Sequence, residues 1–346
     1  MTINDQQRSV NMVKNTLESV TTQILESSER KNDAIVPISK ISMAGDGRIL
    51  LDGKQSAFSH DIDPFALNQL GYRLGIPANY IQRCPTELRA ENVNHWLEEF
   101  NKQEAAKTEE ESKGKEWFVR FLDGKIRALL SDRYAVLDNK MVMDAVPQAI
   151  TSKYEVEHFH HVDESDMRLR LVFPDLKAKI GETRLGSDDI LQVGIEIRNS
   201  ERGTGAVRID QVVYRLVCTN GMMGMATDSV FSKRHMFTNQ GDLQMQISNS
   251  IKGLLAEGMG TIHQFAAAKD RELATPIEMI TKLAKDQKYS IKLIEQIVDA
   301  YNFEPDANVF GVVNAFTRAA RALPIDKRIE VEEYAGRILQ MKALSA

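Results

Sequence analysis

Apolar residues recur at helical spacing through residues 5–30, where Val10, Val13, Leu17, Val20 and Ile24 stand among polar neighbours. This pattern predicts an amphipathic helix with one stripe to bury. The stretch "IVPISKISMAGDGRILLDGK" breaks into short aliphatic pieces around Gly-Asp-Gly and Asp-Gly, and reads as a small hairpin. Residues 61–100 turn helical, with Asp63-Pro64 supplying a cap and a first-turn proline, and with Pro77 and Pro85 splitting the run into separate helices. Residues 106–115 are charged, lack aromatic residues and have no apolar period. They read as an exposed linker closing an N-terminal helical and hairpin region, 1–105.

From Trp117 the period changes to two. "WFVRFLDGKIRALLSD" predicts a hairpin around Asp123-Gly124, and a helix follows from Asp138. In "MRLRLVF" the positions Met167, Leu169, Leu171 and Phe173 alternate with Arg168 and Arg170, while in "ILQVGIEIR" Leu191, Val193, Ile195 and Ile197 alternate with polar residues. Residues 154–162 and 206–218 complete an antiparallel set with one apolar and one wet face. The expected class is therefore α+β: a central antiparallel sheet with an inserted helix over 116–236, flanked by N-terminal helices and a C-terminal helical region over 237–346.

Composition narrows the field without naming a reaction. The 346 residues carry 44 Lys+Arg against 49 Asp+Glu, a net charge of −5, so any nucleic-acid binding must use local patches. Cys84 and Cys218 are the two cysteines, too few for a disulfide framework. The first ten residues lack the layout of a signal peptide, and no apolar run is long enough to span a bilayer. The expectation is a cytoplasmic protein without a membrane segment. Phosphate-loop, dinucleotide, nucleophile-elbow and His-Glu-x-x-His motifs are absent, so no cofactor is expected and binding is favoured over catalysis.

Three groups of residues invite chemistry. Arg168, Arg170, Arg198 and Arg208 are expected on the wet face of the sheet, with Arg133 nearby; guanidinium forks suit phosphate oxygens, and Tyr134 and Tyr214 offer rings for bases. Paired with neighbouring carboxylates, the same arginines would be an ordinary solvated surface. In "EHFHHVDESD", His158 and His160 share a strand face and could hold a metal ion if a third ligand came from elsewhere. In "VVYRLVCTNGMMGM", Cys218 sits in apolar surroundings that favour packing over reactivity, and Asn220-Gly221 should end the strand. Arg215 is the odd member, a guanidinium among apolar residues that needs a carboxylate or a phosphate.

The segments "LGYRLGIPANYIQRCP", "ENVNHWL", "RALLSDRYAVLDN", "RLVCTNGM" and "NVFGVVNAFTRAAR", in this order, resemble the phage and plasmid proteins grouped as domain of unknown function 932, over about residues 60 to 340. The resemblance implies a mobile-element origin and assigns no catalytic residue. In outline the order of elements is similar to single-strand annealing proteins, which implies single-stranded DNA as partner and self-association of subunits. The leading expectation is a non-enzymatic protein of recombination or replication that binds single-stranded nucleic acid through Arg133, Arg168, Arg170, Arg198, Arg208 and Arg215 with Tyr134 and Tyr214. The alternatives are a metal-dependent enzyme using His158 and His160, and a host-interaction protein with no ligand of its own.

Overall fold

Thr16 and Ser19 cap each other reciprocally at the start of α1 (Leu17–Glu29), which buries Leu17, Val20 and Ile24 as the helical stripe requires. A computed structural model describes residues 16–51, 58–105, 116–162, 164–183, 186–216, 222–225, 231–236 and 240–341. Val10 and Val13 of the expected stripe lie outside these residues.

After β1 (Lys31–Pro37), the expected hairpin forms as β2 (Ser42–Met43) and β3 (Ile49–Leu50), and β4 (Ser59–His60) joins it as a third strand. Asp63 then caps α2 (Pro64–Arg73), its carboxylate accepting from the Ala66 amide at 2.6 Å. The prolines separate α3 (Ala78–Arg83) from α4 (Thr86–Ala105). The hairpin of β5 (Glu116–Leu122) and β6 (Lys125–Ser131) turns on Asp123 and Gly124, both with positive φ, as a tight turn matched to strand twist demands.

This hairpin differs from expectation in its partner. It pairs with β1, Val36 opposite Trp117 and Asp33 opposite Arg120, in a separate three-stranded sheet of order β1-β5-β6. Val36, Val119, Ile126 and Leu129 share one apolar cluster with Leu67 and Leu70 of α2 and Val93 and Leu97 of α4. The division at 106–115 therefore does not separate two cores. Pairing across more than 80 residues leaves no local sequence mark, whereas a charged stretch is easily mistaken for a boundary.

The central sheet is antiparallel, in the order β11-β10-β9-β8-β7, with β12 also paired to β10. Its strands are β7 (Glu155–Val162), β8 (Asp166–Glu182), β9 (Asp188–Ser200), β10 (Val207–Arg215), β11 (Met222–Met225) and β12 (Phe231–Lys233). The inserted helix is α5 (Asn139–Ala149). Leu169, Leu171, Phe173, Ile195, Ile197 and Ile209 meet α5 and α6 (Gln240–Ala267) in one core with the α1 stripe. Farther along the same face, Leu191, Val193 and Val213 meet a helical layer of α7 (Pro276–Asp286), α8 (Ile291–Phe303), α9 (Val309–Ala320) and α10 (Ile325–Gln340). The class is α+β, as the alternation predicts.

The opposite face is largely covered, with Arg170 and Tyr214 sealed and Arg168, Arg198 and Arg208 partly exposed, and here the expectation is corrected. α10 lies across it, with Ile329 against Val212 and Tyr214 and with Asp326, Glu332 and Glu333 reaching the strand arginines. Alternation tells which side chains share a face, but a helix from the far end of the chain decides whether water reaches it. No helix among the described residues is long and apolar enough to cross a membrane.

Candidate functional site

A cleft of about 840 Å³ opens where the end of β6, the end of α2, the β9–β10 loop and the segment after β12 converge. Arg73, the last residue of α2, donates from Nε to the Leu129 carbonyl at 3.1 Å and lies over the Trp117 ring at 5.5 Å. Burial pulls its pKa below the ordinary arginine value, which still leaves it charged at neutral pH. Beyond β6 the chain turns through Ser131–Tyr134, the Tyr134 amide donating to the Ser131 carbonyl at 3.0 Å, and Arg133 is exposed at the rim. Tyr134 bridges to Met236, and the Ala135 amide donates to the His235 carbonyl at 3.1 Å, which brings exposed Arg234 to the same opening.

The floor is aromatic and fixed. Tyr134 is sandwiched between His235, at 4.8 Å and 13°, and Phe118, at 6.0 Å and 22°. Its hydroxyl donates to the Ser200 carbonyl at 3.2 Å, and burial pushes its pKa up, so it stays protonated. His235 places Nε2 3.0 Å from Oδ1 of Asn199 and Nδ1 3.3 Å from the Ala135 carbonyl. Burial pulls its pKa down to about 4, so the ring is neutral at pH 7. The fourth wall is the loop Gly203-Thr204-Gly205. Ser200 Oγ accepts from the Arg202 and Thr204 amides at 3.2 Å, and Gly203 has φ +79, with Leu130 Cδ2 2.7 Å from where a Cβ would stand.

Beneath this floor the two sheets are joined by a buried polar hub. Glu201 accepts from Arg127 and from the Asn139 amide at 2.8 Å and pairs with Lys31 at 2.8 Å. Burial pushes Glu201 up, but Lys31 and Arg127 outweigh it and hold the carboxyl below its usual value. Arg120 pairs with Asp33 at 2.9 Å and Asp138 at 2.7 Å, and donates to the Glu201 carbonyl at 3.0 Å. This hub fixes the turn that carries Arg133.

Arg73, Arg133 and Arg234 line the cleft with Glu116 and Asp132 as its carboxylates, yet none of the three forms an ion pair among the described residues. Such guanidiniums are positioned to donate to an anion. Of the residues singled out in the sequence, Arg133 and Tyr134 belong to this cleft; with both its faces covered, Tyr134 is not a platform for bases.

The remaining candidates lie elsewhere. Register places Arg168, Arg198 and Arg208 side by side in one row across β8, β9 and β10, with Arg170, Glu196 and Asp210 in the next. Arg170 is fully buried between Glu196 and Glu332, the latter at 2.9 Å. Burial opposes its charge, but these two carboxylates outweigh burial and raise its pKa. Arg215 lies on the α6 side of the sheet, buried with Asp189 at 2.5 Å and Glu304 at 2.8 Å and over the Phe310 ring at 5.2 Å. Tyr214 is buried under α10 over Gly194. Arg170, Arg215 and Tyr214 are therefore sealed from solvent, a correction to the open-face expectation. The carboxylate partner that Arg215 required is Asp189.

His158 and His160 fall on β7 at the sheet edge, in register with Arg170 and Arg168; their side chains are outside the described ones. No group of three metal-ligating side chains converges among the described residues, which do not include these two side chains. Cys218 and Asn220-Gly221 lie outside the described residues. The sequence reading missed Arg73 as a site residue, although "LGYRLG" contains it, and it missed the Gly203-Thr204-Gly205 wall; the legible signal was a glycine pair directly before a predicted strand.

The family model described as a domain of unknown function (DUF932) matches residues 128–288, so this part of the chain carries that domain. The match takes in the Ser131–Tyr134 turn, the central sheet and α6, and is narrower than the span of 60 to 340 read from the motifs. No curated protein and no solved structure matches the chain.

Proposed function

We propose that this protein binds single-stranded nucleic acid through its sugar-phosphate backbone, with Arg73, Arg133 and Arg234 as the phosphate contacts. The observation that carries the proposal is the convergence at one cleft of three guanidiniums that form no ion pair among the described residues. Two segments on which the family resemblance rests, "LGYRLG" and "SDRY", meet there. Arginine holds its charge at neutral pH and donates in a fork that matches two phosphate oxygens. The cleft presents no free aromatic face from Tyr134, so recognition is of backbone charge rather than of bases. In this reading the protein is a phage or mobile-element factor of recombination or replication, acts in the host cytoplasm, self-associates on its strand, and performs no bond-making chemistry.

The test is fluorescence anisotropy of a labelled single-stranded oligonucleotide against salt concentration. Three phosphate contacts on a single strand predict a log–log slope of about −2, from about 0.7 counterions released per contact. Absence of binding at low salt would end the proposal.

A further inference from the structure

On the other side of the Gly203-Thr204-Gly205 loop lies a second cavity, of about 730 Å³, which shares Thr204, Gly205 and Ala206 with the cleft as lining residues. Its base is the row Arg168–Arg198–Arg208, and Arg202 reaches it from the loop, its guanidinium 4.5 Å over the Phe65 ring. Like charges directly opposite one another on neighbouring strands are destabilising, so a row of three arginines requires anions nearby.

The resident anions divide into two groups. Asp210 and Glu196 belong to the sheet itself and are fully buried; they hold Arg198 at 2.5 and 3.1 Å. Asp166 holds Arg202. Asp326 and Glu333 come from α10 and grip the row unevenly. Asp326, with a side chain 92% exposed, touches Arg168 at 3.3 Å, while Glu333 reaches Arg198 at 2.8 Å but Arg208 only at 3.8 Å. The Nε atoms of Arg168, Arg198 and Arg208, the whole row, are buried without a hydrogen-bond acceptor. A buried N–H without an acceptor is costly, and within the row the longest ion pairs are those of Arg168, to Asp326 at 3.3 Å, and of Arg208, to Asp210 at 3.4 Å and Glu333 at 3.8 Å. The first turn of α10, at the positive end of its dipole, borders the same cavity, with Asp326 as the anion standing there now.

We infer that this cavity is a phosphate-binding site, distinct from the cleft, in which a phosphate group displaces Asp326 from Arg168 and engages the open side of Arg208. Asp326 and Glu333 stand in for that phosphate when the site is empty and set how strongly a ligand must compete. The inference does not rest on nucleic-acid binding at the cleft. The phosphate comes either from a free anion or from a strand that continues across the loop.

The test is calorimetric titration of pyrophosphate into the full chain in an R133A/R234A background, which removes two of the three cleft guanidiniums. Single-site binding is expected. Arg208→Ala and Arg168→Ala should each weaken it at least tenfold, and Asp326→Asn should tighten it at least threefold, with thermal melts confirming that each variant is folded. If Arg168→Ala does not fold, Arg208→Ala and Asp326→Asn decide the matter by their opposite signs. Displacement of pyrophosphate by a short oligonucleotide assigns the phosphate to a strand, and displacement by inorganic phosphate alone assigns it to a free anion. No heat, equal affinity in Arg208→Ala, or sulfate binding as tightly as pyrophosphate (an adventitious ion only) would overturn the inference.

Discussion

The two faces of the central sheet are covered by different chemistry. On one, Leu169, Leu171, Ile195, Ile197 and Ile209 meet α5 and α6 in an apolar layer. On the other, Arg170 and Glu196 of the sheet form a buried ionic layer with Glu332 of α10, which accepts from Arg170 at 2.9 Å and from the half-buried Arg328 at 2.7 Å. Apolar contact is non-directional and tolerates changes of shape that keep volume. An ionic layer demands particular partners, because removing one leaves the other charged and desolvated. The ionic face thus holds α10 in a defined register over the sheet.

The comparison breaks most visibly at Arg170. Arg170→Ala strands Glu196 and Glu332 and should cost about 3–5 kcal/mol in urea unfolding; a loss below about 1 kcal/mol would show that the ionic layer is no structural element. Next comes Leu171→Ala on the apolar face, expected to cost about 2–5 kcal/mol by transfer and cavity terms. Leu171→Met, which keeps the volume, should stay under about 1.5 kcal/mol. On the ionic face no equally mild exchange exists at Arg170, and Arg170→Lys should remain severely destabilised because it cannot span Glu196 and Glu332 in the same way. Gly194→Ala is smaller: its Cβ would meet the Tyr214 ring at 2.6 Å and the Leu171 carbonyl at 2.7 Å, and overpacking of this kind costs about 1–3 kcal/mol.

pH sharpens the contrast between sealed and open charge. His235 has its pKa pulled from 6.5 to about 4 by burial, so the unfolded chain binds its proton first as pH falls. Stability contributed by the neutral ring is present above pH 6.5 and is lost between about 6.5 and 4, at no more than about 1.4 kcal/mol per pH unit. Unfolding of His235→Asn at pH 7, 5.5 and 4.5 should show a shallower decline than the parent chain. A parallel decline would show that the fold does not shift the pKa of His235.

Much of the fold is legible in the residues because its signals are local. The helical period marks α7 to α10, Asp63-Pro64 marks the start of α2, Asp123-Gly124 marks a hairpin, and alternation marks β8 and β9. The pairing of β1 with β5 is not legible, since Val36 and Trp117 stand far apart in the chain and either would pack equally well elsewhere. Nor is the covering of Arg170 by Glu332, because an acidic helix reads the same whether it faces water or arginines. Arg133 was visible in the Ser-Asp-Arg-Tyr turn. Arg73 and Arg234 are not distinctive: Arg73 is a lone cation at a helix end, Arg234 follows Lys233 after a short strand, and only the folded chain brings them to one opening.

The smallest expected effect on stability carries the largest expected effect on binding. Arg133 and Arg234 are exposed and form no ion pair among the described residues, so their removal should change unfolding by less than about 0.5 kcal/mol. The central claim is tested most directly by titrating a labelled single-stranded oligonucleotide with the parent chain and with R133A/R234A across a salt series. The account predicts that the double variant binds at least tenfold more weakly and that its salt slope flattens from about −2 to about −0.7, as two of three phosphate contacts are lost. Equal affinity and an unchanged slope in a folded double variant would contradict it.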